Sequence, residues 1–177
     1  MKKSLALLVV VLLVGAVVAG AQVPNAEFHF KHAGEAALVC GGMGVLDTAF
    51  VVVNNFSMWM SAIEYQVIYP PEMLFLADNT GGLNIGNSMM GIATSWPFPI
   101  NAYSSAIVNT VIFVWQCDGC PRTNIPVPVA PHPLTGFLRT VRWPDNALIQ
   151  GIGMTSLICP TIPVEETTWG NIKELYK

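Results

Sequence analysis

Ala106-Ile-Val-Asn-Thr-Val-Ile-Phe-Val-Trp115 is the stretch that decides the fold. Its side chains alternate between two faces, and it is rich in β-branched and aromatic residues, which is the pattern of a β-strand. We therefore predict a long strand and expect Trp115 to lie in the protein core. One face carries Ile107, Asn109, Val111, Phe113 and Trp115, and the other carries Val108, Thr110, Ile112 and Val114.

Segments of the same kind occur before this strand. Glu27–His32 alternates cleanly, and Thr48–Val53 is an apolar run that predicts a buried strand. Met58–Tyr69 predicts another strand, with a β-bulge near Ser61 because the alternation fails there. The chain therefore carries several strand signals in succession.

Turn and breaker residues separate these segments. Asp78–Gly82 predicts a turn, and Pro97 and Pro99 are expected to end the strand that precedes them. The stretch Pro121–Pro133 contains five prolines. We predict an extended surface segment there, because a proline nitrogen cannot donate a ladder hydrogen bond.

About eight short strands, turn signals about every 8 to 15 residues and no strong helix together predict an all-β fold. We expect a two-sheet antiparallel sandwich of the jelly-roll or immunoglobulin-like kind, over residues 22–160. Residues 161–177 predict a short C-terminal helix. Its apolar stripe is Trp169, Ile172, Leu175 and Tyr176. Helices and strands do not alternate, which argues against a Rossmann-like enzyme.

The first 21 residues have the three parts of a secretory signal peptide. Met1-Lys2-Lys3 is a short basic start, Leu5–Val18 is almost entirely apolar, and Ala19-Gly20-Ala21 has the small residues of a cleavage site. We predict that the leader is removed and that the mature chain is secreted, periplasmic or at the cell surface. No further apolar stretch is long enough to predict membrane insertion after cleavage.

Charge is sparse and mildly acidic in the mature chain. Lys2 and Lys3 leave with the leader, so six Lys and Arg face eleven Asp and Glu, a net charge of −5. Nucleic-acid binding calls for a basic face, and an anionic membrane surface attracts basic segments. We therefore expect no nucleic-acid partner, and no cofactor is predicted.

One region resembles a known family. The stretch Ser61-Ala-Ile-Glu-Tyr-Gln-Val-Ile-Tyr-Pro-Pro-Glu-Met-Leu74 is similar to the cohesin pattern, in which an apolar strand leads into a corner. The segments Gly91–Ser95 and Ile107–Val114 look like the strands that follow. The resemblance covers about half of the mature chain and implies a nine-stranded sandwich related to cohesins and carbohydrate-binding modules. Such domains bind proteins or glycans and do not catalyse. It carries over no partner-contact residue.

Four cysteines in an exported chain predict disulfides. We favour the pairs Cys117–Cys120 and Cys40–Cys159 among the three possible pairings. In the chain-entropy model the long loop could contribute roughly 4–5 kcal/mol. The alternative for the Cys117-Asp-Gly-Cys120 motif is a redox dithiol, but the motif follows a strand, so no helix N-terminus lowers a thiol pKa. A zinc site would need a second cysteine pair.

No residue is predicted to be catalytic or to bind a metal. His29 and His32 lie three apart on a strand and so face opposite ways. A hydrolase that uses Glu64, Asp78 and Asp145 is the alternative function, and clustering of these carboxylates in a cleft would favour it. We interpret Glu64 as a solvent-facing strand residue and the two aspartates as turn formers.

Aromatic residues near strand ends give the best functional lead. Trp96 and Phe98 of the Trp-Pro-Phe-Pro sequence and Tyr103 are predicted to lie in an exposed loop. With Trp59 they form the candidate binding surface, which suits a protein or a polysaccharide partner. A structural subunit of a surface layer, joined through an unpaired edge strand, is a third reading. The sequence leaves the oligomeric state open.

Overall fold

The structure is a computed structural model and describes residues 26–32, 42–117 and 124–159. This part of the chain contains eleven strands and no helix. The strands are β1 (Ala26–His32), β2 (Leu46–Asn54), β3 (Trp59–Val67), β4 (Met73–Asn79), β5 (Leu83–Asn87), β6 (Gly91–Asn101), β7 (Ser105–Trp115), β8 (Ile125–Ala130), β9 (Arg139–Trp143), β10 (Leu148–Gly153) and β11 (Thr155–Ile158).

The strands form two stacked layers, which confirms the predicted β-sandwich. The first layer has the order β4–β7–β2–β1, and β10 pairs with β1. The second has the order β5–β6–β3–β9, and β10 also pairs with β9. Strand β8 joins the end of β3, and β11 pairs with β8. Because β10 belongs to both layers, they are continuous on that side.

The inward-facing side chains fill the space between the layers. The alternating strand that starts at Ser105 buries Val111, Phe113 and Trp115, so the prediction for Trp115 is confirmed. The Trp115 indole nitrogen donates to Asp47 Oδ2 over 2.8 Å, which satisfies its one polar atom in the core. The opposite layer contributes Ile63, Tyr65, Val67 and Ile92 among others.

The structure differs from the expectations in strand number and pairing. Eleven strands are described, against the nine that the resemblance implies, and β1 pairs with β10 in parallel. Within the described part of the proline-rich stretch, Ile125–Ala130 is a strand and not a surface segment without ladder bonds, because Ile125, Val127 and Val129 alternate inward and are buried. The prolines between them cannot donate, but their carbonyls can still accept, as Pro128 does from the Ile68 amide.

The predicted stop at Pro97 is also wrong, since β6 continues to Asn101. The β3–β6 register jumps from Ala62↔Ser95 to Met60↔Ile100, so the residues between Ser95 and Ile100 have no ladder partner on β3. Prolines are tolerated where no ladder bond is required. The same irregularity in β3 confirms the bulge predicted near Ser61.

Asp78 is a strand residue that joins the two layers through a hydrogen-bond network, so its prediction as a turn former is wrong. Its carboxylate accepts from the Ser88 amide, the Ser88 hydroxyl and the Asn109 amide group, each over 2.6 Å. Asn109 also donates to the Tyr65 hydroxyl over 2.9 Å, and the Tyr69 hydroxyl lies 2.6 Å from the Ser88 hydroxyl. Burial raises the pKa of both tyrosines well above the usual value.

Several predictions fall outside the described residues. These are the leader, the C-terminal helix, and the positions of Cys40 and Cys120. Cys117 and Cys159 are described, both are buried, and neither is a free thiol. The pairing of the four cysteines therefore stays a prediction.

Candidate functional site

The outer face of the second layer forms a shallow trough. Two rows of side chains run across the strands at this face, as the pairing register shows. The first row is Leu148, Val141, Ala62, Ser95 and Leu83. The second row is Gln150, Arg139, Glu64, Ala93 and Ile85.

Side-chain size gives the face its concave shape. The central strands β3 and β6 present Ala62, Ala93 and Ser95, whereas the edge strand β5 presents Leu83 and Ile85. These two rim residues are 76% and 79% exposed, although both are large and apolar. Together with Leu148 and Val141 on the opposite rim, they enclose a mainly apolar depression of about 440 Å³.

A partly buried ion pair supplies the polar part of the trough. Arg139 Nε donates to Glu64 Oε2 over 2.8 Å, and the Thr135 hydroxyl donates to Glu64 Oε1. The Arg139 guanidinium also lies 4.7 Å from the centre of the Phe137 ring. Within the described residues the terminal nitrogens of Arg139 have no hydrogen-bond partner, so they are available to a carbonyl or carboxylate from outside.

Exposed aromatic rings lie beyond one end of the trough. Trp59 of β3 pairs directly with Trp143 of β9, and both indoles are nearly half exposed. Tyr103 packs edge-on against Trp59, with ring centroids 6.5 Å apart. This aromatic group extends the apolar surface past the first row of the trough.

Two of the four residues predicted as a binding surface come together, namely Trp59 and Tyr103. Phe98 is 82% exposed, but it lies in β6 and its ring does not pack against another aromatic ring among the described residues. Trp96 is half-buried against the core, and its indole nitrogen donates to the Thr80 carbonyl over 2.8 Å. The loop predicted for both residues is therefore a strand with an irregular register.

The sequence did not point to the trough itself. Ala62, Ala93 and Ser95 carry no local signal of function, and they become a floor only when the register aligns them. Leu83 and Ile85 mark the trough only in the structure, where large apolar residues on the outer face of a short strand are unusual unless something covers them.

The three candidate carboxylates do not share a cleft. Glu64 faces outward in the trough, Asp78 bonds inward between the layers, and Asp145 lies in the turn after β9, where Arg142 binds it. Among the described residues no group of three or more His, Cys, Asp or Glu could hold a metal ion. The same residues include no helix with the length and hydrophobicity of a transmembrane segment.

Two solved structures have this architecture. One is the CaDoc0917–CaCohA2 complex, whose CaCohA2 is from Clostridium acetobutylicum. A chain of this complex matches at TM-score 0.53 and 15% identity, and the match covers 77% of this chain and 100% of the other. The Coh-OlpA–Doc918 complex from Clostridium thermocellum, described as a novel type I cohesin–dockerin complex, matches at TM-score 0.50 and 10% identity. That match covers 76% of this chain and 99% of the other.

The fold is cohesin-like. The resemblance seen in the sequence is therefore confirmed at the level of fold, over about three quarters of the chain. No protein-family model matches this chain, and a search of curated proteins gave no match. At 10–15% identity the likeness concerns the fold alone, so the site has to be argued from this chain's own residues.

Proposed function

We propose that this protein is a secreted, non-catalytic binding module that captures a protein partner in the trough between Leu83 and Val141. The observation that carries the proposal is the trough itself: large exposed apolar residues on its rims, small side chains on its floor and an arginine with free donors at one side. The two similar structures are complexes in which a cohesin-type chain binds a second protein, which agrees with this reading.

The dimensions of the trough favour a helix as the bound element. Its rims on β5 and β9 are three strand spacings apart, which is about 14 Å. An α-helix with its side chains is about 10–12 Å wide, so one helix can lie between the rims and contact the small floor residues. Recognition of this kind places an apolar helix face in a groove, with polar contacts around it.

Arg139 gives the trough a preference in charge. Its terminal nitrogens can donate to an acceptor on the partner, and a carboxylate would make the strongest contact. Glu64 holds the guanidinium in place through Nε, and the neighbouring Phe137 ring supports it. We therefore infer a helical segment with an apolar face and an acidic residue beside it.

Export and disulfide formation belong to the same proposal. The leader sequence supports secretion or display at the cell surface, and an oxidising compartment suits the buried cysteines. A Cys117–Cys120 bond would close a small loop just after β7, and a Cys40–Cys159 bond would tie the segment between β1 and β2 to the end of β11. Peptide mapping of the non-reduced mature protein tests both pairs, and a different pairing or four alkylated thiols would refute this part.

The binding proposal is tested by a matched pair of arginine substitutions. Ala93→Arg fills the floor of the trough, whereas Gln116→Arg adds the same charge at an exposed position elsewhere. Each protein, and the unaltered chain, is used to capture partners from the source organism, and each captured protein is then titrated individually by calorimetry. A trough partner should bind the unaltered chain and Gln116→Arg equally, and Ala93→Arg at least about tenfold more weakly.

The polysaccharide alternative is decided in the same experiment by a glycan array. Glycan binding that depends on Trp59 and is unaffected by Ala93→Arg would replace the protein partner with a sugar on the aromatic group. Equal capture of the same proteins by all three chains would contradict the trough as the binding site.

A further inference from the structure

The outer face of the first layer is also apolar, and it lies on the side of the sandwich opposite the trough. We call it the back face, defined by the outward residues of β2, β7 and β4. The register places Leu46, Val114 and Leu74 in one row and Thr48, Ile112 and Ala77 in the next. Leu46 is 63% exposed and Leu74 is 49% exposed, and Phe50 of β2 lies on the same face, in the row beyond Thr48.

A contiguous apolar surface of this kind is normally covered in a soluble protein. Within the described residues nothing covers the back face, and the trough cannot share its occupant because it faces the other way. The chain itself offers a cover. After Ile158, the end of the last described strand, 18 more residues follow Cys159.

We propose that this C-terminal tail, residues 160–177, folds onto the back face as an amphipathic helix. Its sequence supplies a matching apolar stripe, because Trp169, Ile172 and Tyr176 recur at helical spacing. Thr167 or Thr168 can cap the first turn. The opposite face of the helix carries Gly170, Asn171 and Glu174, which suits contact with water.

The tail leaves the sandwich at the correct end. Strand β10 runs parallel to β1, and β11 continues in the same direction and packs against β1. Because β1 and β2 are antiparallel, Ile158 lies toward the end where β2 begins at Leu46. The row Leu46, Val114 and Leu74 is the end of the back face nearest to that point.

The connecting segment is long enough. From β11 to β7 is three strand spacings, about 14 Å, and a helix axis lies about 10 Å above the sheet. Residues 160–166 span up to about 23 Å when extended, which exceeds the straight-line distance of about 17 Å that results from these two perpendicular displacements. The helix from residue 167 can therefore reach the middle of the back face without disturbing β11.

The test compares hydrogen–deuterium exchange of the tail in the mature full chain and in two aspartate variants. Leu74→Asp places a charge on the back face, and Leu83→Asp places one on the trough rim, at a leucine that is more exposed still. We expect tail amides to be protected in the unaltered chain, with protection about tenfold lower in Leu74→Asp and unchanged in Leu83→Asp. Sandwich amides serve as the internal check of folding in each variant.

A second pair of variants changes the tail and leaves the sandwich intact. Ile172→Asp should release the tail, whereas Glu174→Ser, on the face opposite the apolar stripe, should not. Tail amides that exchange at the rate of an unstructured peptide in the unaltered chain would overturn the proposal. Release of the tail by Leu83→Asp alone would place the tail in the trough, which also overturns the proposal. Protection that disappears on dilution would mean that a second copy of the protein covers the back face, and this result overturns the proposal too.

Discussion

Replacement of Asp78 by alanine should strongly destabilise the sandwich, although this residue lies in β4, the edge strand of the first layer. Asp78 accepts three hydrogen bonds from Ser88 and Asn109, both of which are almost fully buried. The Ser88 hydroxyl donates to Asp78, so it accepts from the Tyr69 hydroxyl. The Asp78 carboxylate is therefore the final acceptor in this series of hydrogen bonds. Its removal leaves donors in the interior without acceptors.

The magnitude follows from those donors. The Ser88 backbone amide loses its partner outright, at a cost of about 1–3 kcal/mol, and the Asn109 amide group loses a charge-assisted bond of similar worth. Asn109 keeps its bond to Tyr65, so the total is about 3 kcal/mol. That is a large part of the 5–15 kcal/mol that is typical of a single domain.

Urea unfolding followed by circular dichroism measures this loss. With a slope of about 2 kcal/mol per molar urea, the midpoint should fall by about 1.5 M. Asp145→Ala is the matched control, because it removes an exposed carboxylate bound by Arg142, and its midpoint should not change measurably. Asp78→Asn retains one acceptor and should fall between the two. Equal midpoints for Asp78→Ala and Asp145→Ala would refute the reasoning.

Two further predictions concern pH and packing. Burial holds the pKa of Tyr65 and Tyr69 above that of an unfolded tyrosine, so their contribution to stability is present below about pH 10 and is lost as the pH rises further. Urea midpoints between pH 8 and 11.5 should fall above about pH 10, less steeply in Tyr69→Phe; a flat profile would contradict this. Gly153→Ala would drive its Cβ into the backbone carbonyl oxygen of Val129. It should cost about 1–3 kcal/mol in the same urea assay, and an unchanged midpoint would show that β8 and β10 can separate freely.

The sequence predicted those features that depend on local alternation. The strands around Val51, Tyr65 and Phe113 follow from apolar periodicity, and burial of Trp115 follows from its place in that pattern. Strand β8 was missed because prolines outweighed the inward alternation of Ile125, Val127 and Val129. There the tertiary contact with β3 and β11 decides the conformation.

The candidate site depended on contacts that are distant in the chain. Asp78 stands in a sequence typical of a turn, and only the approach of Asn109, 31 residues away, makes it a buried acceptor. Glu64 lies on the outer face of β3, but the prediction that it faces solvent is wrong: it is only 9% exposed, because Thr135 and Arg139, which is 75 residues away, bind its carboxylate. The trough needs the register of four strands, which no local pattern specifies.

The small residues on the floor of the trough have a consequence for how this protein can change. Ala62, Ala93 and Ser95 point away from the interior, so larger side chains there would alter the shape offered to a partner without displacing the core. Partner choice could then diverge among descendants of this chain at little cost in folding. The interior carboxylate of Asp78, which joins the two layers, allows no such freedom, so selection would act separately on the outer face of the second layer and on the interior between the layers.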